Sequence, residues 1–338
     1  MIDAHMLPAA AVPRTKRRQW FAAVLAVTLL PLLGLPLLAA LGQPFRTSFV
    51  LGLGVFVGGV CHVASTLYFY TDADARPVMQ RYRARFYALP LAALALSLLA
   101  LTVSRQLAIA DDLVLTIFFA HLVWLYFHYQ KQNYGLLAFA AAASGKRTPE
   151  GTLTLLMLPP LAGGLASYPQ LLADGLEREL PIAHWLPLLD ALAWAVYAAA
   201  AFGMARLALR HRDVFAQPLV RVFALTALGF YLPALLIGNI DYAFWSYAIA
   251  HGLQYLLMVG IVSAQARRRW LALPAFVLAA IAGGWALNRF AGTHALFICG
   301  ILLTWVHFAL DARLWRMSEP TARTFLRRRF AFIFNQDT

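Results

Sequence analysis

Ten apolar runs, each long enough to cross ~30 Å of hydrocarbon as a helix of roughly 20 residues, leave this chain few folds to choose from. They fall at about 19–42, 47–70, 86–104, 112–143, 152–172, 185–208, 218–237, 242–264, 271–288 and 293–315. Only helices or closed barrels satisfy their own backbone amides in lipid, so runs of this length predict an all-α polytopic transmembrane bundle. Composition agrees: 62% of the 338 residues are hydrophobic, 13% are charged, and the mean hydropathy is +0.67. No linker or internal repeat divides the chain. The expectation is one membrane domain over 1–338, made of a basic tail (1–18), a bundle (19–315) and a basic amphipathic tail (316–338). The first run, at about 24 residues, is too long for an ordinary signal-peptide core and is read as a retained helix.

Lys and Arg near span ends favour the cytoplasmic side. With the N-terminus inside, ten spans place 22 of the 28 Lys and Arg on one side, from Arg14, Lys16, Arg17 and Arg18 through Arg85, Arg147, Arg212 and Arg269 to the tail arginines. Arg46, Arg105, Arg178 and Arg289 fall opposite. Both termini are therefore expected to be cytoplasmic. The net charge of +13 then reflects loops that meet anionic headgroups. Nucleic acid, which wants a solvated basic face, is not the expected partner. Residues 321–334, with Arg327, Arg328 and Arg329 among phenylalanines, have the pattern of an amphipathic helix lying in the membrane interface. Cys61 and Cys299 both fall within spans, and no disulfide framework is indicated.

Nine histidines punctuate this sequence, and five of them, His62, His121, His128, His251 and His307, lie well inside expected spans. Ionisable groups at that depth are costly and point to function. They occupy the second, fourth, eighth and tenth runs, helices that would all point the same way. Counted at 1.5 Å per residue, His62, His128, His251 and His307 lie within roughly 10 Å of a common level. Each of three has polar company on its own face: His128 with Gln132, His251 with Gln254 and Tyr255, and His307 with Asp311. His121 and His128 share a face but stand roughly 10.5 Å apart along the axis, so one ion cannot take both from a straight helix. His128 is expected to be the ligand, and His121 to face substrate or support the site. The run 112–143 is long for one span, and a bend or unwinding is expected at Gln130 to Gly135.

Neutral imidazoles with few carboxylates suit iron, copper or zinc. No Glu lies inside a span and no clustered His-x-x-x-His motif occurs, which argues against a di-iron centre. A single non-haem iron held by His62, His128, His251 and His307 is the sharper expectation, with Asp311, His121, Gln132, Gln254 and Tyr255 as candidate catalytic or supporting groups. The plainer alternative is that these histidines only bond across helices.

On these residues the chain resembles in plan the bacterial membrane beta-carotene cleavage dioxygenases, the Brp/Blh-like family. The string His307, Asp311, Trp315, Arg316 is similar to the family's last helix, and Gly58-Gly59-Val60-Cys61-His62 echoes its Gly-x-Pro-His-Gly motif. The family's paired histidines are replaced here by His251-Gly-Leu-Gln254. The resemblance covers five or six short stretches. It implies non-haem iron on His62, His128, His251 and His307, and oxygenase chemistry with dioxygen on a lipophilic substrate in a bacterial cytoplasmic membrane. Carotene itself does not carry over, and no residue names an electron donor. Trp124, Tyr126, Tyr129, Trp245, Tyr247, Tyr255 and Trp305 are candidates for a hydrophobic tunnel or for simple packing. Two other classes share the same residues: a haem-binding electron-transfer protein, and a proton-coupled transporter using Asp190, Asp241 and Asp311.

Overall fold

The computed structural model describes residues 14–42, 49, 52, 54–107, 110–175, 184–237, 239–265 and 269–334. Arg46, Arg178, Arg267, Arg268, His5 and most of the start of the second expected span (47–53) lie outside the described residues, as do 335–338. All regular structure among the described residues is helical. The longer helices are α1 (Arg14–Ala40), α2 (Leu89–Leu107), α3 (Ala110–Ala143), α4 (Leu158–Gly175), α5 (Leu186–Arg210), α6 (Pro218–Gly229), α7 (Ile240–Ala264), α8 (Arg269–Ala291), α9 (Thr293–Leu314) and α10 (Pro320–Arg329). Five stretches among them are long and apolar enough to cross a membrane: Thr15–Ala40, Leu186–Arg210, Ile240–Ala264, Leu273–Phe290 and Ala295–Leu314. Leu30, Leu91, Phe202, Leu278 and Phe290 are each more than half exposed, an apolar surface that water would not tolerate and lipid would.

α7 is the hub. It buries residues on every side, from Tyr242 to Ser263, and α1 packs along it. Thr28, in the middle of α1, bonds back to the Val24 carbonyl at 2.6 Å and accepts from the Gln254 side chain at 2.7 Å, so the contact is polar at its centre. On its other side α7 meets the segment before His62 at van der Waals range. A Cβ on Gly252 would lie 2.7 Å from the Val57 carbonyl oxygen, and one on Gly58 would lie 3.0 Å from the backbone of Ala248. Small residues let membrane helices approach backbone to backbone, and here that approach sets the height of His62 against His251. Gly252→Ala must push the two apart; a loss of about 1–3 kcal/mol is expected for overpacking, read as a lower midpoint in thermal unfolding.

The second expected span departs from a plain α-helix. It runs as π-helix over Gly54–Cys61, one α-turn at His62–Ser65, then 3-10 helix over Thr66–Thr71. Widened turns of this kind concentrate at functional sites. The break expected at Gln130 to Gly135 is absent, because α3 is continuous through it. Its polar side chains find partners sideways instead: Gln130 donates to the Ala227 carbonyl at 2.9 Å and Asn133 to Gln130 at 3.2 Å. With those groups satisfied, the helical ladder has no reason to open.

The carboxy-terminal segment also corrects its expectation. Rather than offering its apolar face to lipid, it buries Ala322, Phe325, Leu326, Phe330 and Ile333 in the same core as Trp20, Phe69 and Phe139. Arg329 is drawn in with them. Its Nη2 contacts Asp72 at 2.7 and 2.8 Å and Asp74 at 2.8 Å, while Gln265 donates to its carbonyl at 2.8 Å. Glu319 caps α10 and receives Arg81 at 3.0 Å and the Tyr82 hydroxyl at 3.1 Å.

Candidate metal centre

Steps of four residues return a helix to the same face, and three segments use that step. His307, Asp311 and Trp315 share one stripe of α9, His251 and Tyr255 one stripe of α7, and His62 and Thr66 stand one turn apart beside them. α3 adds His128. Their rings converge: centroids are 4.9 Å apart for His62 and His307, 5.0 Å for His62 and His251, 4.9 Å for His128 and His251, and 5.1 Å for His128 and His307. His62, His251 and His307 are at most 2% exposed, and His128 and Asp311 are 8% exposed.

Two donor sets share His307. His62, His251 and His307 can each offer a ring nitrogen, and His128, His307 and Asp311 two nitrogens and an oxygen, with all donor atoms of a set within 4.8 Å of one another. Ligand nitrogens ~2.1 Å from a tetrahedral ion would stand ~3.4 Å apart, so donors within 4.8 Å must draw together by up to ~1.4 Å to close either set around one ion.

The hydrogen bonds around His307 fix which nitrogen faces the cluster. The Tyr255 hydroxyl donates to Asp311 Oδ1 at 2.9 Å, and Trp315 Nε1 donates to the same oxygen at 3.2 Å. With its one proton used, Tyr255 must accept from Thr66, whose hydroxyl is 2.9 Å away. Thr66 in turn has no proton left for His307 Nδ1 at 2.7 Å, so that nitrogen carries the hydrogen and donates. The Nε2 lone pair of His307 is therefore free and directed away from the relay. Asp311 is arranged likewise: Oδ1 takes both donors, while Oδ2 lies 3.5 Å from His307 Nε2 and 4.0 Å from His128 Nε2.

Six buried ring nitrogens in this cluster lack a hydrogen-bond partner: both of His62, both of His251, and Nε2 of His128 and of His307. The backbone of Val57 and Gly58 is close to the His62 ring but forms no bond of normal geometry with it. A buried donor or acceptor left unsatisfied costs about 1–3 kcal/mol. A core that only needed to be stable would not gather six of them on four rings.

The other expected site residues divide. Tyr255 and Asp311 belong to the relay. His121 stands apart from the cluster: its Nδ1 accepts from Trp305 at 3.2 Å and its ring is parallel to Phe308, which also stacks with His128 at 4.0 Å between centroids. Gln132 and Gln254 face each other at 2.8 Å, Gln132 also donates to the His251 carbonyl at 3.1 Å, and Gln254 donates to Asn133 at 3.1 Å. They fasten α3 and α1 to α7 rather than extend towards the rings. Thr66 was not singled out by the sequence, although its position four residues after His62 was there to be read. Among the candidate aromatics, Tyr126 and Tyr247 serve packing. Tyr126 and Tyr247 pack with Tyr168 and Tyr231 in a closed core, where Tyr168 bonds the Leu122 carbonyl and Tyr231 bonds the Tyr126 carbonyl at 2.5 Å.

The relay predicts a graded effect. Loss of a group that orients a metal ligand typically lowers affinity about 10- to 100-fold. That range is expected for Thr66→Val in a competition titration against a chelator, and a loss at or beyond its upper end for Asp311→Asn, whereas Thr66→Ser, which keeps the hydroxyl, should hold near the wild-type value. Equal affinity for the Val and Ser variants would reduce Thr66 to a packing residue.

No protein-family model, curated protein or solved structure matches the chain.

Proposed function

We propose that this chain is an integral membrane metalloprotein in which His62, His128, His251, His307 and Asp311 hold one non-haem iron, and that it works as an oxygenase on a lipophilic substrate. The observation that carries this reading is the gathering of six unpartnered ring nitrogens in one buried cluster, with an Asp311 oxygen beside two of them. Four imidazoles and one carboxylate suit a first-row transition metal better than an oxygen-seeking cation. Iron held by these residues would supply dioxygen chemistry. The chain's own part is to fix the donors, to keep water out and to orient His307 through Thr66. Ring centroids 4.9–6.3 Å apart favour a single ion over a porphyrin, which would need a flat slot between facing rings. From the resemblance to the Brp/Blh-like dioxygenases the reading keeps the lone histidines on separate helices, not the substrate.

Metal analysis paired with an absorption spectrum tests it. One iron per chain and no Soret band is the expected result; a Soret band would favour the haem reading, and metal-free protein at every stage of purification would favour a transporter. The reading includes ten passes with both termini cytoplasmic. Reporter fusions after Arg85, Arg147, Arg212 and Arg269 should all read cytoplasmic, and one outside signal among them would break that topology.

A further inference from the structure

Beside the histidines lies a cavity of about 400 Å³, walled by the segment from Val63 to Tyr70, the start of α2 and one stripe of α9. Thr66 and His307 line it, so it ends on the relay. Its outer wall is open: Leu91, Leu94 and Leu303 are 68%, 57% and 48% exposed, on the surface that the membrane reading gives to lipid.

One wall of the cavity is long. On α9 the lining runs Cys299, Leu302, Leu303, Val306, His307, Leu310, a continuous stripe about 16 Å long at 1.5 Å per residue. A lining that runs ~16 Å along one helix suits an elongated, flexible apolar ligand lying parallel to α9.

The chemistry of the walls agrees. No charged residue lines the cavity. Tyr70 has its hydroxyl on the Phe86 carbonyl at 2.5 Å, Thr66 is committed to Tyr255 and His307, and His307 commits Nδ1 to Thr66. A polar ligand would find little to bond, whereas hydrocarbon would lose nothing by entering from the bilayer.

We propose that this cavity is a lateral binding site for a single acyl chain, which slides in from the membrane between α2 and α9 and lies along α9 with one section against His307. The proposal rests on the metal reading for its purpose, since it names the substrate class as an acyl lipid. It does not rest on that reading for its geometry.

A long-chain saturated fatty acid carrying a mid-chain diazirine, photolysed with the full-length protein in lipid nanodiscs, tests it. Label is expected on peptides spanning Val63 to Tyr70 and Cys299 to Leu310, saturating with probe and displaced by excess unlabelled fatty acid but not by a sterol. Leu303→Trp, which fills the groove from its exposed side, should remove most of that label while the metal content stays at the wild-type level. Label spread evenly over exposed faces such as those of Phe202 and Phe290, without saturation, overturns the proposal, as does displacement by sterol. Bound iron with even labelling would leave the metal centre and sink the groove. Saturable groove labelling on protein that never holds metal would leave the acyl site and sink the oxygenase.

Discussion

Replacing His307 by Ala is expected to empty the centre. This residue is common to both donor sets and its free Nε2 lies beside the Asp311 carboxylate, so its loss breaks the site from both sides. Changes one step removed from a metal typically cost about 10- to 100-fold in affinity, and loss of the ligand itself should exceed the upper end of that range. Without metal the same variant should be less stable than wild type, because it leaves a cavity and takes from Thr66 its partner at His307 Nδ1. His121→Ala supplies the contrast. Its nitrogen is used by Trp305 and its ring lies against Phe308, so metal should stay bound while packing around α3 and α9 loosens. Elemental analysis of the two purified variants reads both outcomes. Retention of full iron by His307→Ala, or its loss from His121→Ala, would mean that the cluster is not the site.

The second large effect is expected far from the rings. Arg329→Ala strips Asp72 of its buried cation and leaves the carboxylate with only the Asp74 and Ala75 amides, at 2.8 and 3.3 Å, and the Tyr68 hydroxyl at 3.3 Å. Breaking a buried pair by removing one partner costs about 3–5 kcal/mol, whereas replacing both partners by apolar groups of similar volume is often neutral. Thermal unfolding should therefore show a large drop for Arg329→Ala and recovery for the double variant Arg329→Met with Asp72→Leu. Asp72 follows directly on Thr66–Thr71, so the single variant should also hold metal more weakly. A change within about 0.5 kcal/mol, as for an ordinary surface residue, would mean that the tail rests on the bundle without bracing it.

How much of this could be read beforehand depends on whether the information is local. The pairing of His307 with Asp311 follows from helical period alone, and the choice of His128 over His121 follows from counting rise along α3; the structure has both arrangements. The limits of α7 and α9 lie within two residues of the apolar runs that announced them. What could not be read depends on contacts between distant segments. Whether residues 54–71 wind as α, π or 3-10 helix is decided where Gly58 meets Ala248 and Val57 meets Gly252, about 190 residues away along the chain. Gln132 and Gln254 look like site residues in the sequence because they follow histidines at helical spacing, but a face wide enough for two roles let them turn to each other. The last segment illustrates the same point. An amphipathic helix states that it has an apolar face, not what will cover it, and here Trp20 and Phe139 rather than lipid do so.

The five proposed donors are strung along the chain from His62 to Asp311. A ribosome therefore delivers the site in instalments: two rings are made long before the third, and the carboxylate arrives with α9. Until α9 is inserted there is no cage, only separate weak donors facing lipid or each other. On the proposed reading, metal can be held only once α9 has joined the other helices. Arg329, further along the chain than every proposed donor, then fastens the segment that follows His62 through Asp72 and Asp74.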